Sequence, residues 1–511
     1  MSRYGCSLFL WGRGGTGGHL PLSLASAATA GRASRSERLT GVRGVLSVLL
    51  FLSVSPSALP LEFPVLNPSP EMFRRHREQF LGKLPANAVA ILHAAPERLF
   101  SNDTNYTYRQ DSNFYYLTGI EEPGTIALFR PSSPDGKRYI LFVRPRDARR
   151  EAYEGSRLTV EAATKQRGAD AAFPMAEFEG SLWRGESTAS RAPSGYLVGA
   201  EAIYLSDGGD AEWAEKLRGQ LERLRASDAA PATTVDARAI VREMRLVKDT
   251  DEIALLRHAA ELTAKAHALA MRVAAPGRYE FEVQAALDGY CLANGAHRMA
   301  YPSIVGSGPN SVFLHWQKND RQMREGEVVL NDSGAEYGGY AADVTRTYPV
   351  SGRFSTEQKA IYEVILAAQK GTMAIIKPGM THDEVEKTSA RLQTEGLVKL
   401  GLLSGDVEKL IADNAYRRFT VHGISHWVGL DVHDTGAYRV GTASRKLEPG
   451  MVLTVEPGIY IPANTSGVDP KWWNLGVRVE DTVLVTPTGY DCLSCAAPKE
   501  IVDVEKAVGK K

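Results

Sequence analysis

The sequence is poor in cysteine. Its 511 residues include four cysteines: Cys6, Cys291, Cys492 and Cys495. Four scattered cysteines do not form the disulfide framework that is typical of small secreted domains. Cys492 and Cys495 form a C-x-x-C pair, but no second pair completes a four-ligand zinc site. We therefore expect ordinary, mostly buried thiols.

The sequence also lacks an excess of charge of either sign. Lysine and arginine together number 60, and so do aspartate and glutamate, which gives a formal net charge of zero. Without a basic excess or a long run of like charge, we expect no nucleic-acid partner. The hydrophobic content of 43% and charged content of 23% are ordinary for a globular protein. The chain length predicts two domains.

The N-terminal segment contains no apolar run long enough to cross a membrane. The run VLSVLLFLSVS at residues 45–55 is too short to span a bilayer and follows Arg38 and Arg43. It resembles the apolar region of a signal peptide, and an organelle transit peptide or a mis-assigned start are open alternatives. We predict a leader at residues 1–65 and no stable membrane span. Export, organelle targeting and a cytoplasmic location all remain open.

Residues 66–235 alternate apolar runs with polar turns, which predicts an α/β domain. A helix is expected over residues 211–225, and residues 227–235 have the composition of a linker. The predicted strand-like runs lie at residues 88–94, 113–120, 125–131, 139–145 and 195–201.

Residues 236–505 contain a faint internal repeat. A helix is predicted from near Thr250 to Pro276, and a Pro-Gly pair recurs 102 residues later at Pro378. Thr381 and Glu384 then form a capping box that begins the next helix. The stretches at 325–334 and 449–458 also match, as do those at 341–349 and 478–487.

The repeat places four carboxylates at equivalent strand ends. Asp332 falls opposite Glu456, and Asp343 falls opposite Glu480. Burying an unpaired carboxylate is costly unless a counter-charge or a metal accompanies it. Four such acids in the half of the chain that also holds a histidine cluster predict a metal site.

The histidine cluster is HGISHWVGLDVH at residues 422–433. His422 and His426 have the spacing of a helical zinc motif, but Gly423 and Gly429 argue against a helix. We therefore predict a strand or an extended turn. Four carboxylates and one imidazole suit two divalent ions, with Mn²⁺ favoured and Zn²⁺, Co²⁺ or Fe²⁺ as alternatives.

Several longer stretches carry a family resemblance. The chain resembles the creatinase/aminopeptidase family, and its aminopeptidase P group in particular, over residues 66–505. The matching stretches are YRQDSNFYYLTGIEEP (108–123), DSGAEYGGYAADVTRTYPV (332–350), HGISHWVGLDVHD (422–434), TVEPGIYI (454–461) and WWNLGVRVEDTVLVT (472–486). The resemblance implies an α/β N-terminal domain followed by an α+β pita-bread catalytic domain with an internal pseudo-twofold repeat.

The resemblance also implies ligand roles. His426 is the single imidazole ligand, and Asp343 and Glu480 bridge the two metals. Asp332 binds one metal, and Glu456 binds the other together with His426. Glu456 is in addition the proton acceptor from the bridging water.

Five further residues receive roles by the same resemblance. His315 positions the substrate, and Arg478 pairs with the carboxylates. His422 and His433 contact the substrate or stabilise the tetrahedral intermediate, with a packing role as the alternative. Tyr460 is a weaker candidate.

The implied activity is metal-dependent release of the N-terminal residue from short peptides with proline in the second position. A hydroxide held between two metals would attack the first peptide carbonyl. A dipeptidase of the prolidase type is an alternative, disfavoured because Ser425 and Trp427 flank His426 where that group usually has Gly and Phe. An inactive binding module is the non-enzymatic alternative. The resemblance further implies a homodimer or homotetramer.

Overall fold

The computed structural model describes residues 65–183 and 195–509. Apart from Val65, the predicted leader lies outside the described residues, and so does Cys6. Within the described part, no helix is both long and apolar enough to cross a membrane.

The first part of the chain forms six helices and eight strands in the described residues. The helices are α1 (Pro70–Lys83), α2 (Ser112–Thr118), α3 (Ala148–Glu154), α4 (Val160–Arg167), α5 (Phe178–Ser181) and α6 (Ala211–Arg225). The strands are β1 (Ala88–His93), β2 (Leu99–Ser101), β3 (Thr104–Asn105), β4 (Ile126–Phe129), β5 (Tyr139–Val143), β6 (Ala171–Pro174), β7 (Ala202–Ser206) and β8 (Thr233–Asp236).

Six of these strands build one mixed sheet in the order β6-β5-β4-β1-β7-β8. Strand β1 lies inside the sheet, antiparallel to β4 and parallel to β7. Every residue of β1 and β5 is buried, which is expected of strands covered on both faces. The α/β prediction for this region is confirmed.

Three local predictions in this region are wrong. Residues 113–120 form α2 instead of a strand, because the Asp111 side chain accepts hydrogen bonds from the backbone N–H groups of Asn113 and Phe114 at 3.1 and 2.9 Å. The predicted strand at 195–201 is a turn, and β7 begins only at Ala202. The predicted linker includes most of β8, whose backbone pairs with β7 at the sheet edge.

In the described residues, the second part of the chain forms seven α-helices and thirteen strands. The helices are α7 (Arg238–Leu246), α8 (Thr250–Val273), α9 (Glu280–Ala293), α10 (Thr356–Ala374), α11 (His382–Lys399), α12 (Val407–Ala412) and α13 (Ile501–Ala507). The strands are β9 (Arg298–Met299), β10 (Ile304–Ser307), β11 (Val328–Asp332), β12 (Ala335–Tyr337), β13 (Tyr340–Ala341), β14 (Thr345–Pro349), β15 (Arg439–Val440), β16 (Ala443–Ser444), β17 (Val452–Val455), β18 (Gly458–Ile461), β19 (Leu475–Arg478), β20 (Asp481–Val485) and β21 (Tyr490–Cys492).

The internal repeat is visible in this part of the fold. Strand β11 pairs antiparallel with β14, and β17 pairs in the same way with β20. Helix α8 begins at Thr250 behind a capping box of Asp249 and Glu252. Helix α11 begins with the predicted box of Thr381 and Glu384, in which the Thr381 hydroxyl accepts from the Glu384 N–H at 3.3 Å.

The prediction for the C-x-x-C pair is wrong. Cys492 ends β21, and the following turn brings its Cα within 5.5 Å of the Cα of Cys495, so the two sulfurs form a disulfide. Cys291, in α9, is a free and buried thiol as predicted.

Candidate metal centre

Strand pairing gathers the four carboxylates at one place. Asp332 is the last residue of β11, and Asp343 lies two residues before β14. Glu456 directly follows β17, and Glu480 lies between β19 and β20. The two halves join where the Glu480 N–H donates to the carbonyl oxygen of Thr345 at 3.1 Å.

The ligating atoms fall into overlapping groups. Carboxylate oxygens of Asp332, Asp343 and Glu480 lie within 4.8 Å of one another. Atoms of His426, Glu456 and Glu480 form a second such group, and atoms of Asp343, His426 and His433 form a third. Asp343, His426 and Glu480 each belong to two of these groups. Of these three, Asp343 and Glu480 are carboxylates with two oxygens, so each can be shared between neighbouring ions.

The centre carries an excess of buried negative charge. Burial, followed by the charges of Asp343, Glu456 and Asp332, raises the pKa of Glu480 well above its ordinary value. Burial likewise raises the pKa of Glu456 to about 7, although His426 and Arg478 act in the opposite direction. Such a cluster of oxygen donors with one imidazole fits hard divalent cations.

His426 presents one ring nitrogen to the carboxylates. Its Nδ1 lies 3.1 Å from the carbonyl oxygen of Trp427, which can only accept, so Nδ1 carries the hydrogen. The Nε2 atom is therefore the one that would ligate a metal, and it lies 3.3 Å from both Asp343 Oδ2 and Glu456 Oε1. Burial alone would lower the pKa of His426, but Asp343 and Glu456 raise it to about 9.

The segment that carries His426 contains no helix between residues 420 and 438, as predicted. It is irregular and forms no strand there, apart from one isolated bridge between Trp427 and Leu453. Its backbone is attached to β17. The His426 N–H donates to Thr454 Oγ1 at 3.1 Å, and the Thr454 N–H donates to the His426 carbonyl oxygen at 2.9 Å. This pairing brings His426 to the end of the strand that Glu456 follows.

Arg478 is the buried cation of the centre. Its guanidinium donates to Asp332 and, at 2.9 Å, to the hydroxyl of Thr345. The Thr345 hydroxyl in turn donates to Glu480 Oε2 at 2.5 Å. Arg478 therefore orients two candidate ligands, as predicted for a partner of the carboxylates.

Arg478 also begins a hydrogen-bond relay to His422. Its Nη1 donates to the Tyr460 hydroxyl at 2.8 Å, and that hydroxyl lies 2.8 Å from His422 Nε2. His422 Nδ1 lies 2.6 Å from the carbonyl oxygen of Gly423, so Nδ1 is the donor and Nε2 accepts from Tyr460. Burial and the charge of Arg478 lower the pKa of His422 to about 4, which keeps the ring neutral.

A cavity of about 470 Å³ opens onto the centre. His315, His422 and His433 all line it beside the candidate ligands. The His433 ring centroid lies 4.0 Å from that of His426. The structure therefore brings together every candidate site residue predicted from the sequence. Side chains that add apolar surface to the cavity are those of Ile304, Leu314 and Val432.

The loop that carries His433 is held by the N-terminal domain. Ser112 of α2 donates to Asp431 Oδ1 at 2.7 Å, and Arg109 donates to the Leu430 carbonyl oxygen at 2.7 Å. The loop is also held within the second part of the chain, where Arg245 of α7 donates to Asp431 Oδ2 at 2.7 Å and to Asp434. The first domain thus contributes to the position of a residue in the cavity.

Tyr301 is a site residue that the sequence did not reveal. Its hydroxyl lies 2.6 Å from Asp332 Oδ1 and 2.6 Å from Asp343 Oδ1. It precedes β10 in the ordinary stretch MAYPS, which carries no pattern of its own. Only its position beside two acids distant in sequence identifies it.

Comparison with known proteins agrees with this geometry. The family model described as metallopeptidase family M24 matches residues 254–487, and the aminopeptidase P N-terminal domain model matches residues 73–190. The chain is 40% identical to Xaa-Pro aminopeptidase of Escherichia coli over 86% of its length and 97% of that protein.

Solved structures give the same result. Aminopeptidase PepP of Pseudomonas aeruginosa aligns at 38% identity with a TM-score of 0.82, covering 87% of this chain and 98% of that one. Structures of E. coli aminopeptidase P, one with the inhibitor Pro-Leu and one zinc-substituted with product, align at 39% identity with a TM-score of 0.81. Both cover 86% of this chain and 98% of that one. The chain therefore belongs to metallopeptidase family M24, with the pita-bread catalytic fold behind an aminopeptidase P N-terminal domain.

Proposed function

We propose that this protein releases the N-terminal residue from short peptides whose second residue is proline. The observation that carries the proposal is one buried centre of four carboxylates and one imidazole that opens into a cavity of about 470 Å³. Relatives that match almost their whole length are named Xaa-Pro aminopeptidase, which supports the same substrate class.

The proposal includes two divalent ions, with Mn²⁺ favoured by the oxygen-rich donor set. One ion would be held by Asp332, Asp343 and Glu480. The other would be held by His426 and Glu456 together with the same two shared residues, Asp343 and Glu480. The sharing of Asp343 and Glu480 between ligand groups supports their bridging roles. When bound, the two ions would activate a water molecule at neutral pH and polarise the attacked carbonyl.

Glu456 is the proton carrier in this proposal. Its Oε1 lies 3.3 Å from His426 Nε2, and its Oε2 lies 3.5 Å from His422 Nδ1, so it stands between the centre and the cavity. A carboxylate there can accept the proton of the attacking water and deliver it to the proline nitrogen. The leaving nitrogen needs that proton because an amide anion is a poor leaving group.

The three cavity histidines bind and orient the peptide. His422 is fixed by the relay from Arg478 through Tyr460, which leaves a neutral ring beside Glu456. His433 is placed against His426, and His315 lines the same cavity. These positions suit contacts with the scissile carbonyl and with the oxyanion that forms from it.

A product assay tests the function. The Mn²⁺-loaded protein is incubated with Gly-Pro, Arg-Pro-Pro and Arg-Ala-Ala, and products are identified by mass. We expect Arg-Pro-Pro to give Arg and Pro-Pro, with Arg-Ala-Ala intact. Cleavage of Gly-Pro alone would indicate a prolidase. No cleavage with Mn²⁺, Zn²⁺ or Co²⁺ would favour the binding-module alternative.

A matched pair of variants ties the activity to the centre. Asp343→Asn removes a shared carboxylate, so we expect activity to fall by at least about 100-fold. This loss exceeds the one that is typical when a residue that only orients a metal ligand is mutated. Asp383→Asn changes a carboxylate in the first turn of α11 that forms an ion pair with Arg439, and this variant should keep wild-type activity. Equal activity of the two variants would contradict the assignment.

Assembly and location belong to the proposal as well. We propose a homodimer or homotetramer, as the family resemblance implies, and light scattering during gel filtration measures the mass. We also propose that residues 45–55 direct targeting, which N-terminal sequencing of the protein from its native host tests. A mature N-terminus near residue 65 is the expected result.

A further inference from the structure

A disulfide loop is connected to the metal centre by hydrogen bonds. Cys492 and Cys495 close a turn whose third residue, Ser494, is completely buried. Both cysteines are only half-buried. Cys495 lines an open depression of about 710 Å³, together with Lys499. Cys495 is therefore open to solvent, whereas Ser494 in the same turn faces the interior.

Ser494 connects the loop to a candidate metal ligand. Its hydroxyl donates to Asp481 Oδ1 at 2.7 Å and accepts from the Thr482 N–H at 3.0 Å. The Thr482 hydroxyl then donates to the Asp343 carbonyl oxygen at 2.8 Å and accepts from the Asp343 N–H at 3.2 Å. One residue, Thr482, therefore separates the loop from the backbone of Asp343.

A second connection runs through buried charges to Glu480. Lys499 donates to Cys495 Sγ at 3.0 Å and to Asp481 Oδ2 at 2.7 Å. Asp481 also pairs with Arg346 at 2.7 Å, and Arg346 donates to the Glu480 carbonyl oxygen at 2.5 Å. The cysteine loop thus contacts groups that fix the backbone of both shared carboxylates.

We propose that Cys492–Cys495 is a thiol–disulfide exchange site whose oxidised form holds the metal centre in its binding geometry. The inference rests on the proposed function for its effect on metal binding. The exchange chemistry itself does not depend on that function.

A dithiol supplies the two electrons that reduce the Cys492–Cys495 disulfide. A thiolate of the dithiol attacks Cys492 Sγ, and the disulfide breaks with its electron pair passing to Cys495 Sγ. The Lys499 ammonium stabilises the thiolate that leaves. The second thiolate of the dithiol then resolves the mixed disulfide, so the protein gains two thiols and the dithiol becomes a disulfide.

A metal ion held by the cysteines is the competing explanation. Asp481, Cys492 and Cys495 do offer atoms within 4.8 Å of one another. However, both oxygens of Asp481 already accept from cations, Arg346 on one and Lys499 on the other. A further cation would have to displace them, and the sulfurs are bonded to each other.

Reduction frees Ser494 from the closed turn and lets the Cys495 thiolate compete with Asp481 for Lys499. Both changes loosen the contacts that position Asp343 and Glu480. Groups that orient metal ligands typically account for about 10- to 100-fold in metal affinity. We therefore expect the reduced protein to bind Mn²⁺ about tenfold more weakly.

The first measurement maps reactive thiols in the full chain. The protein is treated with iodoacetamide before and after reduction by dithiothreitol, and the labelled peptides are identified by mass. Cys492 and Cys495 should react only after reduction. Cys291 should stay unlabelled, because burial raises the pKa of its thiol to about 12. Labelling of Cys492 or Cys495 without reduction would overturn the exchange site.

The second measurement is the Kd for Mn²⁺, from electron paramagnetic resonance of the free ion after the reductant is removed. The reduced wild type, the oxidised Ser494→Ala variant and the Cys492→Ser/Cys495→Ser variant should all bind about tenfold more weakly. Cys291→Ser is the matched control and should bind as the oxidised wild type does. Reoxidation should restore the wild-type Kd.

The outcomes separate the two proposals. Equal Mn²⁺ affinity in oxidised and reduced protein would overturn the coupling between the loop and the centre. Failure of the oxidised wild type to bind any Mn²⁺ would instead overturn the proposed function. In that case the alkylation pattern alone decides whether the cysteines exchange.

Discussion

At the scale of single residues, the centre depends on groups that fix the carboxylates as well as on the carboxylates. Tyr301 has one hydroxyl hydrogen, yet its oxygen lies 2.6 Å from a carboxylate oxygen of both Asp332 and Asp343. Only one of the two can accept that hydrogen at a time, so the other contact needs a proton on the carboxyl. Burial and nearby Asp343 raise the pKa of Asp332, which favours such a proton in the absence of metal.

The first prediction concerns this tyrosine. Tyr301→Phe removes the donor that orients Asp332 and Asp343, so we expect Mn²⁺ affinity to fall about tenfold while the fold stays intact. Calorimetric titration with Mn²⁺ measures the affinity, and circular dichroism checks the fold. Tyr348→Phe is the control, because Tyr348 is a buried tyrosine whose hydroxyl lies 3.4 Å from Asn331 and makes no hydrogen bond to a candidate ligand. Wild-type affinity in Tyr301→Phe would contradict an orienting role.

At the scale of elements, the sequence predicts a helix correctly where the residues of that segment alone determine its boundaries. The box of Thr381 and Glu384 and the helix at 211–225 are both present in the structure. The strand prediction for residues 113–120 is wrong because it relied on aromatic and β-branched residues, which favour strands. Its Asp111 cap and the left-handed Gly119 at its end, with φ of 63°, make it a short buried helix instead.

The second prediction tests the cap of α11. Thr381→Ala removes the hydroxyl that accepts from the Glu384 N–H, and loss of such a cap costs about 1 kcal/mol in the free energy of unfolding. Activity should be unchanged, because the Thr381 side chain contacts Glu384 and none of the candidate ligands. Thr388→Ala, one turn or more inside the same helix, removes only a hydroxyl bonded to the Glu384 carbonyl oxygen and should cost less. Thermal unfolding followed by calorimetry compares the two, and equal losses would argue against capping.

At the scale of the whole molecule, the two domains meet at buried charges. His76 of α1 stacks on Tyr116 and lies 3.5 Å from both Asp249 and Glu252 at the start of α8. Burial alone would lower the pKa of His76, but these two carboxylates raise it to about 9. The imidazolium thus joins helix α1 of the N-terminal domain to the start of helix α8 in the second part of the chain.

The third prediction is a pH dependence of this junction. Because the pKa of His76 is raised from about 6.5 in the unfolded chain to about 9, its stabilisation is complete below pH 6.5. It should be lost as the pH rises through 9, with a change on the order of 2–3 kcal/mol. Urea unfolding at pH 6.5, 8 and 9.5 measures the trend. His76→Gln should remove most of it, whereas His297→Gln, an exposed histidine, should leave it in place. The same slope in His76→Gln and wild type would contradict the assignment.

The sequence by itself determined the class of this protein. Two matching half-domains with carboxylates at equivalent strand ends, together with the 422–433 histidine cluster, were enough to indicate the metal centre. The family followed from the resemblance of longer stretches of sequence. Each candidate ligand lies in a short stretch whose pattern can be recognised without knowing the rest of the fold. The alternation of apolar and polar runs was likewise enough for the α/β first domain.

Only the tertiary structure decided which other groups complete the centre. Tyr301 reaches the acids through the fold, and Ser494 reaches Asp343 only through Thr482, so neither has a signal in its own neighbourhood. The bond between Cys492 and Cys495 depends on a turn that composition does not reveal. Contacts between distant segments depend on how strands cross and which side chains become buried together, and no single stretch of sequence contains that geometry.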